Sequence, residues 1–313
     1  MIDERELRIL SHVPPPMLGR VGGRFPKAAV TAIPDRGDLP PDARGEVLLT
    51  MAWGSPNLAQ IIARGVRWVH AYGTGVNAFP LHELRGVPLT CSRGASAIPI
   101  SEWVIAMMLA AEKRLPESWI HEPPEHWNIL DLGGLHGRTL GLLGLGGIAQ
   151  ATAQRALAFG MTVIAHRRTA RPSPIAGVEL VDFDALLARS DHLVVAAPDT
   201  RATHHVIGRD ALARAKRGVH LVNIARGGLV DQDALRSALD DGRVKLASLD
   251  TVDPEPLPAG HWLYTHPRVR LSPHCSWSGP GALDRLLDAF LDNLAHWLAG
   301  EPLEGVVDVE LGY

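Results

Sequence analysis

The sequence predicts an α/β protein built of two doubly wound, parallel-sheet domains. Three observations predict it. Short apolar runs of strand length alternate with helix-length amphipathic stretches, and strands joined by helical crossovers run parallel with both sheet faces covered. The alternation comes as two separate series, one before Ser96 and one from Thr139 onward. The chain has 313 residues, enough for two cores of ordinary domain size.

In the first series "LRILSHV", "AAVTAIP", "VLLTMAW", "VRWVHAY" and "VPLTC" read as buried strands. "NLAQIIARG" has apolar residues at helical spacing, with Gly65 placed to close it. A long helix is expected from Ser101, "SEWVIAMMLAAEKRL", with Ser101 as N-cap and Pro116 as stop. It is apolar on several faces and must be buried between domains or between subunits.

The second series offers six strands: "TLGLLG", "MTVIAH", "HLVVAA", "VHLVNIA", "LASLD" and "VRLSP". Helices are expected between them in "IAQATAQRALAFG", "DALLARS", "RDALARAK" and "QDALRSALDDG". The chain closes with a helix, "GALDRLLDAFLDNLAHWLAG", and a short tail.

Composition narrows the function classes. The chain is 46% hydrophobic and 21% charged, with a net charge of −3, which argues against broad nucleic-acid binding. "MIDERELRIL" has no apolar stretch of signal-peptide length, and the most apolar run, "WVIAMMLAA", is far too short to span a bilayer. Two distant cysteines, Cys91 and Cys275, make no disulfide framework, so a reducing cytoplasm is the expected setting.

The stretch "TLGLLGLGGIAQATAQRALAFGMTVIAHRRTAR" carries the first chemical signal. Gly144, Gly146 and Ala149 occupy the G-x-G-x-x-(G/A) positions between a strand and a helix. The first glycine allows a tight turn, and the second lets the backbone approach a pyrophosphate at the helix N-terminus. Gly147 and Ile148 would supply amides there. An acid expected at the end of the next strand would hold a ribose 2′-hydroxyl. That place is filled by Arg167 and Arg168, which suit a 2′-phosphate instead. Two charge-assisted bonds would favour NADP over NAD by about 100-fold. NADP(H) is therefore the preferred cofactor, with NAD(H) possible if "HRRTAR" is merely a solvated loop.

Three later stretches place chemistry at predicted strand ends. "LVNIARGGLVDQDAL" puts Arg226 there, "LASLDTVDPEPLP" puts Asp250 and Glu255 there, and "VRLSPHCSW" puts His274 there. Ligands of doubly wound sheets bind outside these carboxyl ends. Reducing a ketone loads negative charge onto its oxygen, which calls for a proton donor such as histidine. A carboxylate substrate calls for a forked cation, which arginine supplies.

The motifs "GLLGLGGIAQ", "NIARGGLVD", "LDTVDPEPLP" and "SPH", in this order, resemble the D-isomer-specific 2-hydroxyacid dehydrogenase family, in its glyoxylate/hydroxypyruvate reductase-like branch. The resemblance implies a Rossmann-like dinucleotide-binding domain, residues 98–277, inserted into a flavodoxin-like substrate domain of residues 1–97 and 278–313. It implies that Arg226 binds the 2-oxo acid, that His274 is the acid and base, and that Glu255 holds the imidazole. Asp250, with Ile224 and Ala225, would orient the nicotinamide, while Ala197 and Pro198 would also touch the cofactor. The partners it implies are a small 2-oxo or 2-hydroxy acid and a second copy in a homodimer, with the Ser101 helix near the interface.

On the substrate side, "HAYGTGVNAF" resembles the family's carboxylate-gripping loop, through Gly73, Thr74 and Gly75, and Trp53 resembles a pocket residue. Trp277 is a second aromatic candidate for the pocket. Asn77 stands where relatives commonly carry an aspartate, and Glu255 argues against formate as substrate. The alternative reading is a dinucleotide-sensing, corepressor-like protein with little turnover. "HEPPEHW" is no metal site, because its prolines forbid the helix that an H-E-x-x-H site needs. No metal is expected, and His204 and His205 read as loop residues.

Overall fold

The computed structural model describes residues 7–169 and 171–313. The opening residues 1–6, part of the stretch searched for a leader, and Ala170 of the arginine-rich segment lie outside the described residues. The chain divides into two compact units, one holding residues up to Ser96 with Pro280–Tyr313, the other Ala97–Gly279.

The first unit is built on strands β1 (Arg8–Ser11), β2 (Ala29–Ala32), β3 (Val47–Met51), β4 (Trp68–Tyr72) and β5 (Leu89–Cys91). They form one parallel sheet of order β2-β1-β3-β4-β5. All five are the strands expected from the apolar runs. Two helices belong to this stretch, α1 (Gly19–Arg24) and α2 (Leu58–Ile62). One sheet face packs on α2 through Leu58 and Ile61. The other packs on α1 and the C-terminal helix (Ala282–Ala299) through Val21, Leu287, Phe290 and Leu294. Helix α1, "GRVGGR", was not expected, because three glycines give it little intrinsic helicity. Arg20 pairs with Asp288 at 2.5 Å and Arg24 with Asp292 at 2.7 Å, tying it to the C-terminal helix.

The second unit opens with α3 (Ala97–Lys113), which begins four residues before the expected start. Ser101 does not cap it. Its hydroxyl donates back to the Ile98 carbonyl at 2.8 Å, and Pro99 sits in the first turn, where its missing N–H costs nothing. The strands are β6 (Thr139–Leu143), β7 (Thr162–His166), β8 (Val178–Leu180), β9 (His192–Val195), β10 (Val219–Asn223), β11 (Val244–Leu249) and β12 (Val269–Leu271). They form a parallel sheet of order β12-β11-β10-β9-β6-β7-β8. Strand β8 is a seventh beyond the expected six. It is a three-residue edge strand with two exposed positions, so it leaves no apolar run to read.

Helices α4 (Gly147–Ala158), α5 (Phe183–Arg189), α6 (Arg209–Arg214) and α7 (Gln232–Asp240) fall in the expected stretches. α3 and α4 cover one sheet face, and α4 comes close because Ala149, Ala153 and Ala156 are its buried residues. α5, α6 and α7 cover the other face through Leu186, Leu212 and Leu235. The strand order reverses between β6 and β9, so the crevice outside their carboxyl ends is the topological switch point. Among the described residues, no helix is long and apolar enough to cross a membrane.

Candidate active site

The glycine turn lies at the switch point. Gly144 has φ 98, and a Cβ there would lie 2.7 Å from the Ala196 carbonyl oxygen, beyond the end of neighbouring β9. No other residue fits without moving that strand. At Gly146, by contrast, a Cβ would meet no protein atom within 4 Å. Protein packing does not demand this glycine, whereas a ligand backed against the turn would. Gly146 caps α4 with extended backbone, and no side chain takes up the first-turn amides of Gly147 and Ile148. An open, uncapped helix start suits a pyrophosphate, so the residues present fit a dinucleotide.

Arg167 and Arg168 follow the end of β7, the strand beside β6. Arg167 is half-buried and its Nε donates to Thr169 Oγ1 at 3.0 Å, while Arg168 is exposed. Ala197 and Pro198 follow β9 across the switch point, Ala197 half-buried and Pro198 exposed.

Beyond β10 the backbone turns sharply to present Arg226. Asn223 organises that turn: its Oδ1 accepts from Ala225 N–H at 3.1 Å, and its Nδ2 donates to the Arg226 carbonyl at 2.9 Å. Gly227 is obligatory, since a Cβ there would lie 2.0 Å from the Val252 carbonyl carbon. Arg226 Nη1 donates to the Ala225 carbonyl at 2.6 Å. Burial draws this guanidinium below its usual range, and the negative charges of Glu255 and Asp199 oppose that shift. Asn223 and Asp199 were not singled out from sequence; each acts through the folded turn.

Glu255 and His274 meet, with His274 Nδ1 2.8 Å from Glu255 Oε2. Glu255 Oε1 accepts from Val252 N–H at 3.0 Å. Burial pushes the Glu255 carboxyl up, but the bonds to His274 and Val252 and the charge of Arg226 outweigh it and hold the group below its ordinary value. Glu255 is therefore an anion that accepts from the imidazole. The pair stays reachable, with side chains 39% and 37% exposed. Arg226, Glu255 and His274 thus form one cluster beside the switch point, as their strand-end positions suggested.

Asp250 lies just past the end of β11. It is 1% exposed, and its carboxylate accepts from Ser272 Oγ at 2.5 Å, Cys275 N–H at 2.8 Å and Ser276 N–H at 3.0 Å. It faces the loop that carries His274. Ile224, which directly follows β10, is buried, and Ala225 is half-buried.

The substrate-side residues form their own cluster in the first unit. Gly73 follows β4 with φ 152, and a Cβ there would lie 2.8 Å from that of Ala52. Its carbonyl accepts from Ser92 N–H at 2.8 Å, and Thr74 Oγ1 donates to the Ser92 carbonyl at 3.2 Å. Gly75 is half-buried, and Trp53, just past β3, is 60% exposed. His70 is internal: its nitrogens meet Thr90 Oγ1 at 2.7 Å and Ser92 Oγ at 3.1 Å, and burial pushes its pKa down to about 3.

A parallel sheet with this strand order and an open glycine turn at its reversal is that of the dinucleotide-binding α/β proteins. Within that class the chain belongs to the D-isomer specific 2-hydroxyacid dehydrogenases, whose NAD binding domain model matches residues 105–276. It is 31% identical to a glyoxylate reductase of Thermofilum pendens over 80% of this chain and 77% of that protein. It is 39% identical to a hydroxypyruvate reductase of Thermotoga maritima, over 55% of this chain and 56% of that protein, so this match spans little more than half of either. The NADPH-dependent glyoxylate/hydroxypyruvate reductase of Sinorhizobium meliloti, solved with NADP and sulfate, superposes with a TM-score of 0.83. It is 26% identical, over 98% of this chain and 100% of that one.

Proposed function

We propose that the protein is an NADPH-dependent reductase of small 2-oxo acids of the glyoxylate and hydroxypyruvate type, yielding the D-2-hydroxy acid. The observation that carries this is the Arg226–Glu255–His274 cluster beside an open glycine turn. The turn at Gly144, Gly146, Gly147 and Ile148 would hold the pyrophosphate, and Arg167 and Arg168 the 2′-phosphate of the adenosine ribose. A reduced nicotinamide held there would supply the hydride for the substrate carbonyl. The protein's own part is binding and proton transfer. Arg226 pairs with the substrate carboxylate through its guanidinium fork. His274 gives a proton to the carbonyl oxygen as charge builds there, and takes it back in the oxidative direction. Glu255 accepts from Nδ1, fixing the ring so that Nε2 faces the substrate.

Two further readings accompany this one. A second copy covers the exposed apolar segment after α3, where Trp119, Ile120, Trp127, Ile129, Leu130 and Leu132 are all 40% or more exposed. A reducing compartment, the cytoplasm, suits its two free thiols.

The test is the initial rate of NADPH oxidation against glyoxylate, hydroxypyruvate, pyruvate and phenylpyruvate, with NADH in parallel. NADPH is expected to exceed NADH by about 100-fold in kcat/KM, and the Arg167→Ser/Arg168→Ser double variant to lose that margin. A preference for NADH would sink the arginine assignment. Tight dinucleotide binding with no turnover would sink the reductase. Sedimentation of the wild type against Trp127→Ser checks the dimer.

A further inference from the structure

The turn that carries His274 is tied down on every side. His274 has φ 51, a left-handed conformation that a side-chain-bearing residue keeps when its surroundings enforce it. Its N–H donates to the Asp250 carbonyl at 2.9 Å. The Asp250 carboxylate collects Ser272 Oγ, Cys275 N–H and Ser276 N–H, so one buried side chain holds the residues on both sides of His274. The remaining polar backbone atom of His274, its carbonyl, accepts the indole N–H of Trp277 at 3.1 Å. Trp277 is 37% exposed, so that N–H has water within reach and is nevertheless directed to the turn.

A rotation of φ at His274 would swing the Cα–Cβ bond and carry the imidazole off Glu255, which it meets at 2.8 Å. A proton donor displaced by an ångström loses most of its advantage. We infer that Ser272 and Trp277 are positioning residues for His274. Ser272 acts through Asp250 and Trp277 through the His274 carbonyl, and the inference rests on the reductase reading above. Trp277 serves by its N–H, and substrate contact by its ring is not needed.

Four variants test this. Trp277→Phe keeps an aromatic ring and removes the N–H, while Trp277→Ala removes both. Ser272→Ala removes the hydroxyl, and Ser272→Thr keeps it. Trp277→Phe and Ser272→Ala are each expected to lower kcat about three- to tenfold, the worth of one lost hydrogen bond, with KM for the 2-oxo acid within about twofold. Ser272→Thr is expected to restore the rate. Crystal structures of Trp277→Phe and Ser272→Ala are expected to show His274 away from φ 51 and its ring displaced from Glu255. Unchanged kcat in both variants, or unchanged His274 geometry in both, overturns the inference. So does a wild-type rate in Trp277→Phe with a raised KM in Trp277→Ala, which would make the ring a substrate contact. If the wild type reduces no 2-oxo acid, the reductase reading fails, and the crystal structures decide the clamp without it.

Discussion

The second unit holds the same three kinds of side chain, a glutamate, a histidine and a cation, at both edges of one sheet. At the carboxyl edge stand Glu255, His274 and Arg226. At the amino edge Glu112 Oε1 meets Lys245 Nζ at 2.6 Å and His192 Nε2 at 3.3 Å. His192 Nδ1 then lies 3.0 Å from His220 Nδ1, and His220 Nε2 lies 2.9 Å from Ser248 Oγ. The chemistry differs because the surroundings do. His192 is 0% exposed against 39% for His274. Burial lowers the pKa of His192 and carries that of His220 well below its ordinary value, so both stay neutral. The bonds from His192 and Lys245 overcome the burial of Glu112 and hold its carboxyl down to about 2. The amino-edge set is an ion pair whose carboxylate and imidazoles are buried, with only its lysine end reaching solvent. Residue types do not define a site; the strand end they occupy does.

The largest effect expected from this contrast is on turnover. His274→Ala should lower kcat about 1,000-fold with its unfolding midpoint within a degree or two of wild type, whereas His192→Asn should leave kcat alone. Steady-state rates and thermal melts of both variants check the pair, and a large kcat loss in His192→Asn would break the comparison. Next in size, Glu112→Ala should destabilise the protein by about 1–3 kcal/mol, because it leaves the buried His192 imidazole without the carboxylate it shares with Lys245. Urea unfolding measures this, and a loss below about 1 kcal/mol would mean that water takes the place of the carboxylate at His192.

The contrast also sets a pH slope in stability. The pKa values of His12, His70, His192 and His220 are all lowered in the folded protein, that of His70 to about 3. Below pH 6.5 the unfolded chain binds protons that these folded histidines refuse. Stability should therefore be full above pH 6.5 and fall as pH drops through it, by ~1.4 kcal/mol per pH unit for each histidine held neutral. Glu112 adds a later loss between about pH 4.5 and 2, as its native ion pair is neutralised. Unfolding free energies from pH 8 to pH 4 test this; a flat profile down to pH 5 would show that the buried histidines take up protons without unfolding.

Much of the architecture was legible in sequence. Apolar runs such as "VLLTM" and "VHLVN" are strands buried along their whole length, and a run of that kind declares itself wherever it lies. The glycine turn and the strand-end positions of Arg226, Glu255 and His274 were legible too, because a doubly wound sheet sets its strand ends at readable points on the chain. The edge strand Val178–Leu180 and the glycine-rich helix at Gly19–Arg24 left no such mark, since their neighbours hold them in place. Ser101 reads as a cap, but Pro99 at a first turn let the helix start earlier.

What tertiary structure decided was which polar residues work together. Sequence gives Ser272, Asp250 and Trp277 no common purpose; the fold bonds Ser272 to Asp250 across 22 residues of chain and Trp277 to the His274 carbonyl. Likewise Glu112 and Lys245, 133 residues apart, become an ion pair only after α3 packs on the sheet. Local pattern fixes elements because backbone periodicity is local. Hydrogen-bond partners are chosen last, by whichever donors and acceptors packing leaves facing each other away from water.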